Sequence, residues 1–163
     1  MAKAADHIAI ANRNHATLLF LLNDSDAHLE WVVTVAFYKA VHVAEAVFDS
    51  WGGVHSTSHE NRLASLKSRF GTIFVPFKHL YNASRVARYL VDLDGKGFRS
   101  FTDFMDKDTV RTLIRKKLHT VEQQSILHLD DATKKSLIKI NPAEFDSPVV
   151  AAAEAGTPVE SEP

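Results

Sequence analysis

A chain of 163 residues, 45% hydrophobic and 24% charged, has the size and composition of one globular domain. It contains no cysteine, which excludes disulfides, a thiolate nucleophile and zinc sites built on sulfur. The net charge of −1 is unevenly spread: residues 1–61 carry −4, residues 62–140 carry +8 and residues 141–163 carry −5. A basic middle can attract phosphate, although a solvated helical face gives the same pattern.

Helical periodicity runs through the chain. Ile8, Ala11, His15, Leu18, Leu19 and Leu22 predict a first helix from Asp6 to about Leu22. The first 22 residues lack the ordered apolar core of a signal peptide, so a cytoplasmic location is expected. Asn23-Asp24-Ser25-Asp26 ends that helix and offers an N-cap for the next. A long second helix then extends from Asp26 or Ala27 to Trp51, where Gly52-Gly53 stops it. This is the most apolar stretch, but Lys39, His42, Glu45 and Asp49 break it below the ~18 residues of a membrane span, so no membrane partner is expected.

Thr57 and Glu60 have capping-box spacing and predict a third helix to about Phe70, ended by Gly71. Pro76 suits a first turn and opens a fourth helix reaching about Asp92. Asp94 to Ser100 reads as a loop, its glycines too few and too irregular to cradle phosphate. A fifth helix starts near Asp106 or Asp108 and runs through Val121, and a short one is possible over 132–138. Phe98, Phe101 and Phe104 are read as core anchors, and Arg115-Lys116-Lys117 as a solvated face. After Asn141-Pro142 the composition turns to Ala, Pro, Glu and Ser, which predicts a domain over 1–140 and a disordered acidic tail over 141–163. The fold class expected is all-α, an up-and-down bundle of four to five helices with the second at its centre.

That second helix carries a polar stripe. At 100° per residue from Thr34, Tyr38 falls near ~40°, His42 near ~80°, Glu45 near ~20° and Asp49 near ~60°. Partners are available on the next helices: His55, His59 and Arg62 at the start of the third, and Tyr81, Arg85, Arg88 and Asp92 along the fourth. Glu45 is expected to pair with Arg85 or Arg88. Nine histidines raise the question of a metal, and His55 with His59 would need His42 or Glu45 as a third ligand. Satisfied histidines are commoner than ligating ones, so no metal and no other cofactor is expected.

The segments Trp31 to Ala46 with Tyr38, His42 and Glu45, then Ser58-His59-Glu60-Asn61-Arg62, then Tyr81-Asn82-Ala83-Ser84-Arg85-Val86-Ala87-Arg88-Tyr89 together resemble the small stand-alone HEPN-like proteins of bacteria and archaea. The likeness covers roughly residues 7–125. It implies a helical bundle, frequently a homodimer, in a family rich in ribonucleases, toxins and defence components. It also implies RNA or a nucleotide as ligand, and an antitoxin or nucleotidyltransferase as a possible partner protein.

Active members of that family carry Arg-x(4–6)-His at the dimer seam, where His moves a proton and Arg steadies phosphate. This chain departs from the motif. Tyr81-Asn82 stands where the family often has Arg-Asn, no His follows Arg85 and Arg88, and Arg115 to His119 leaves three intervening residues. The resemblance and the stripe together nominate His42 and His59 for proton transfer. Arg62, Arg85 and Arg88 are nominated for phosphate or RNA contact, and Tyr38, Glu45 and Tyr81 for a supporting polar network. The alternative expectation is a non-catalytic homodimerisation or protein-interaction module.

Overall fold

The structure, a computed structural model, describes residues 2–23 and 28–145. It is all-α. In chain order come α1 (Ala4–Asn23), α2 (Leu29–Gly52), α3 (His59–Arg69), α4 (Gly71–Tyr89), α5 (Lys107–Leu113), α6 (His119–Ser125) and α7 (Asp131–Ser136). A π-helical turn, Ile114–Leu118, joins α5 to α6 without interruption, and the His119 N–H reaches back to the Ile114 carbonyl. The sequence reading expected plain α-helix there. The wider turn keeps Ile114 and Leu118 fully buried in step with Val110 and Val121.

Helix α2 is the axis of the bundle, as its apolar circumference requires. Val33, Ala36, Phe37, Ala40, Val43, Ala44, Ala46 and Val47 are completely buried. By length and composition α2 could cross a membrane, with a mean hydropathy of 1.4 in its most apolar window. In this fold 78% of that window is covered by other helices. Counting unbroken apolar runs had passed over this property.

Helix α1 lies antiparallel on α2: Asp49 near the end of α2 accepts the Ala4 N–H at 2.7 Å, and His7 meets His42. Helix α4 is likewise antiparallel, with Phe37 against Phe77 and Tyr81 at 5.6 Å and Tyr38 beside Arg88.

Several boundaries differ from expectation for identifiable reasons. Helix α2 is described from Leu29 with His28 as cap and no side-chain cap bond, whereas Asp24, Ser25, Asp26 and Ala27 lie outside the described residues. The cap of α3 is Ser58, whose hydroxyl accepts the Asn61 N–H, and not Thr57, which binds the Asn61 side chain instead. Gly71 does not end α3 but opens α4. The break falls at Phe70 (φ −133°, ψ 56°), whose ring is buried against Phe48, Trp51 and His128. Pro76 therefore lies inside α4, where it removes one helical N–H from the ladder. That helix ends at Tyr89, before Asp92, because Leu90 adopts a left-handed conformation (φ 54°).

Phe98, Phe101 and Phe104 do cluster, with ring centroids 5.0 and 6.1 Å apart. The domain also continues past 140. Residues Pro142–Phe145 form a 3-10 turn that buries Phe145, so the packed fold includes 141–145, and 146–163 lie outside the described residues.

Candidate functional site

The polar stripe of α2 exists, and the elements around it split its side chains into two groups. The first is centred on Glu45, which is 4% exposed. Its Oε1 accepts from Arg62 Nε at 2.7 Å and from the Ser56 hydroxyl, and its Oε2 accepts the Ser56 N–H at 3.2 Å. Burial pushes the Glu45 pKa up, but these hydrogen bonds and the Arg62 charge outweigh it and hold the carboxyl below its usual range. It is a carboxylate with a fixed orientation. Arg62, itself buried, spans from Glu45 to His59, with Nη1 at 2.7 Å from His59 Nδ1.

Burial, Arg62 and Arg88 all lower the His59 pKa, so its ring is neutral near neutral pH. A guanidinium can only donate, which makes Nδ1 the acceptor and leaves the proton on Nε2. The ring stands 5.3 Å from Phe37, 5.6 Å from Tyr81 and 6.5 Å from Tyr38. Arg88 completes this group. Its guanidinium is 5.9 Å over the Tyr38 ring and 5.1 Å over Tyr89, and within 3.5 Å of the Tyr38 hydroxyl. Beside it a groove of about 230 Å³ opens between α2 and α4, lined by Glu30, Trp31, Thr34, Ala87 and Arg88.

The second group lies where the end of α2 meets the start of α1. His7 Nδ1 and His42 Nδ1 are 3.1 Å apart, and the His7 and His55 rings are 5.4 Å apart. His55, in the loop after α2, stands with Nδ1 3.6 Å from Glu45 Oε2 and Nε2 3.5 Å from Asp49 Oδ1. Burial, helped by His7 and Arg62, pushes the His42 pKa down to about 4.

Of the nominated residues, Tyr38, Glu45, His59, Arg62, Tyr81 and Arg88 are brought together. His42 is engaged with His7, and no hydrogen bond or ring contact joins it to His59. The expected Glu45–Arg85 or Glu45–Arg88 ion pair does not form, because Arg62 lies in the next turn of chain and reaches Glu45 first. Arg85, half-buried on α4, makes no ion pair or hydrogen bond among the described residues. Comparison with known protein families, curated proteins and solved structures finds no match to this chain.

Two features escaped the sequence reading. One is His7, whose position on α1 gives no signal until that helix docks. The other is Lys39, fully buried and paired with the fully buried Glu122, while its Nζ also donates to the Ile138 carbonyl at 2.8 Å. The available clue was its place on the helix wheel, on the apolar side with Val32, Val35, Ala36 and Val43 and away from the polar stripe.

Proposed function

We propose that this chain is a HEPN-like protein of the cytoplasm that engages RNA or a nucleotide at the His59–Arg62–Arg88 face, as a ribonuclease-like toxin or defence component. The observation that carries the reading is the 2.7 Å contact that fixes the His59 ring on Arg62, with Tyr38, Tyr81 and Arg88 around it. A neutral imidazole held in one tautomer, with Nε2–H outward from the guanidinium, donates a hydrogen bond to a phosphate oxygen. Arg88 supplies a cation for the phosphate, and the exposed rings of Tyr89 and Trp31 flank it as stacking surfaces for a base. The wider +8 block adds sequence-independent attraction.

Labelled RNA incubated with the purified chain, with and without chelator, tests this. The expected result is binding that weakens as salt rises, with a salt slope reduced by about one in Arg88→Ala. If cleavage occurs it survives chelation and is lost in His59→Ala while binding persists. No salt-sensitive binding at low ionic strength removes the reading.

A second reading, homodimerisation or docking of a partner protein, is favoured by the exposed Trp31 (58%) and Tyr89 (64%) at the same face. It predicts that Arg88→Glu changes the sedimentation behaviour and leaves RNA affinity untouched.

A further inference from the structure

The second histidine group has the composition and spacing of a metal centre. His7, Glu45 and His55 each present a ligand atom within 4.8 Å of the other two. Tetrahedral donors ~2.0–2.1 Å from one zinc-class ion stand about 3.3 Å apart, so small ring rotations bring the three into register. Three different stretches of chain supply them: the first turn of α1, the last third of α2 and the loop that follows it.

A separate observation concerns His7. Its side chain is nine-tenths buried, and among the described residues its Nε2 has no hydrogen-bond partner. A buried ring nitrogen without a partner costs stability and calls for an explanation. Its other nitrogen is already occupied, at 3.1 Å from His42 Nδ1. The outer contacts follow the pattern that metal-binding histidines and carboxylates show. His55 turns Nδ1 toward Glu45 Oε2 and sets Nε2 3.5 Å from Asp49, a carboxylate that orients it. Glu45 is oriented in turn, with Oε1 held by Arg62 and the Ser56 hydroxyl, while Oε2 accepts the Ser56 N–H at 3.2 Å and keeps a second lone pair on the side of His55 Nδ1, 3.6 Å away. Solvent reaches the group through His55 and Asp49, whose side chains are 17% and 23% exposed.

We propose that His7 through Nε2, Glu45 through Oε2 and His55 through Nδ1 bind one divalent cation of the zinc class, with the fourth position open. Two imidazoles and one carboxylate favour Zn²⁺ or Co²⁺ over Mg²⁺ and Ca²⁺, which prefer all-oxygen sites. The open position takes water, or an oxygen of a bound phosphate or carboxylate. His59 is not among the ligands, although the sequence had paired it with His55. Ser58 starts α3 between the two and swings His59 to the far side of Arg62. The cation site therefore backs onto the face assigned to RNA, with Glu45 shared between them: Oε2 faces the cation, and Oε1 holds Arg62 and through it His59.

The test uses the tag-free full chain, stripped with chelator and titrated with Zn²⁺, Co²⁺ and Mg²⁺ by calorimetry, thermal denaturation and visible absorption. Saturable binding of one Zn²⁺ per chain is expected, with a raised Tm and a Co²⁺ d–d spectrum of four- or five-coordinate type. His55→Ala, a change in a loop, weakens Zn²⁺ binding at least tenfold, and so does His7→Ala. His79→Ala, on the exposed side of α4, leaves it unchanged. Far-ultraviolet dichroism confirms that each variant is folded. Absence of one-to-one Zn²⁺ binding, equal affinity for Mg²⁺, or Zn²⁺ binding undiminished in both His7→Ala and His55→Ala overturns the assignment. Metal affinity is the readout throughout, so failure of the RNA reading does not alter the result.

Discussion

His15 is a buried imidazole on the face of α1 that meets α2, only 6% exposed, and its Nδ1 has no hydrogen-bond partner among the described residues. Burial, with the Lys39 ammonium nearby, lowers its pKa from 6.5 to about 4. The folded protein thus favours the neutral ring, while the unfolded chain takes up the proton near its ordinary pKa. The stabilisation is complete above pH 6.5 and drains away as the pH falls toward 4. A shift of that size corresponds to roughly 3 kcal/mol across the window. His15→Leu removes this share, so its stability relative to the parent chain should improve by about 3 kcal/mol between pH 7 and pH 4. Urea denaturation at closely spaced pH values measures it, and two curves that stay parallel down to pH 4 would exclude a neutral buried ring. Residue-scale chemistry of this kind was partly visible in the sequence. His15 falls on the apolar stripe of its helix, but nothing in its neighbours along the chain identified the charge of Lys39, which comes near only when two helices dock.

At the scale of the element, chain-local signals were reliable where one residue decides the geometry. Gly52-Gly53 was read as the stop of α2, and the two glycines do different work. Gly52 is the last helical residue, with open space where a Cβ would stand, whereas Gly53 is left-handed at φ 67° and sends its N–H to the Asp49 carbonyl. Gly52→Ala should therefore stabilise the chain by up to about 0.5–1 kcal/mol, and Gly53→Ala should destabilise it by about 1 kcal/mol. Equal effects in thermal denaturation would contradict the assignment of the left-handed cap to Gly53. Asp106 similarly caps α5 through the Thr109 N–H, as its position in the sequence suggested. Gly71 shows where such signals fail. A glycine after a periodic segment looks like a stop, yet the turn there is enforced by burial of the Phe70 ring among Phe48, Trp51 and His128. That force is tertiary, and the local sequence does not carry it. The same holds for Glu45: its own helix put a carboxylate on a polar stripe in need of a cationic partner, but its burial and the choice of Arg62 over Arg85 and Arg88 were made by the path of the α2–α3 loop.

Across the whole molecule, one buried polar network ties the chain's last described stretch to its central helix. Lys39 and Glu122 are both fully buried. Burial pushes the Lys39 amine down and the Glu122 carboxyl up, each toward its neutral form, and their mutual contact opposes both shifts. Both groups also bond to backbone. Lys39 donates to the Ile138 carbonyl at 2.8 Å, and Glu122 Oε2 accepts the Ile140 N–H at 2.7 Å. Asn12 on α1 adds a two-point clasp on the same segment, donating to the Ser136 carbonyl and accepting the Ile138 N–H. Residues 137–140, leading out of α7, thus run as a strap whose polar backbone groups are satisfied by three different helices, and it delivers the chain to the Pro142–Phe145 turn that buries Phe145. A buried pair of this kind is weak evidence for net stability but makes single deletions costly, because the survivor is stranded without solvent. Lys39→Met should destabilise the fold by about 3–5 kcal/mol, and Glu122→Leu by a comparable amount. The double variant should recover much of that loss, since two apolar side chains leave no unpaired charge, although the Ile138 and Ile140 backbone groups then lack partners. Limited proteolysis of the double variant should therefore cut within 136–140 sooner than in the parent chain even where global stability is restored. Additive destabilisation in the double variant, with the strap as protected as before, would mean that Lys39 and Glu122 contribute independently and do not form the clamp.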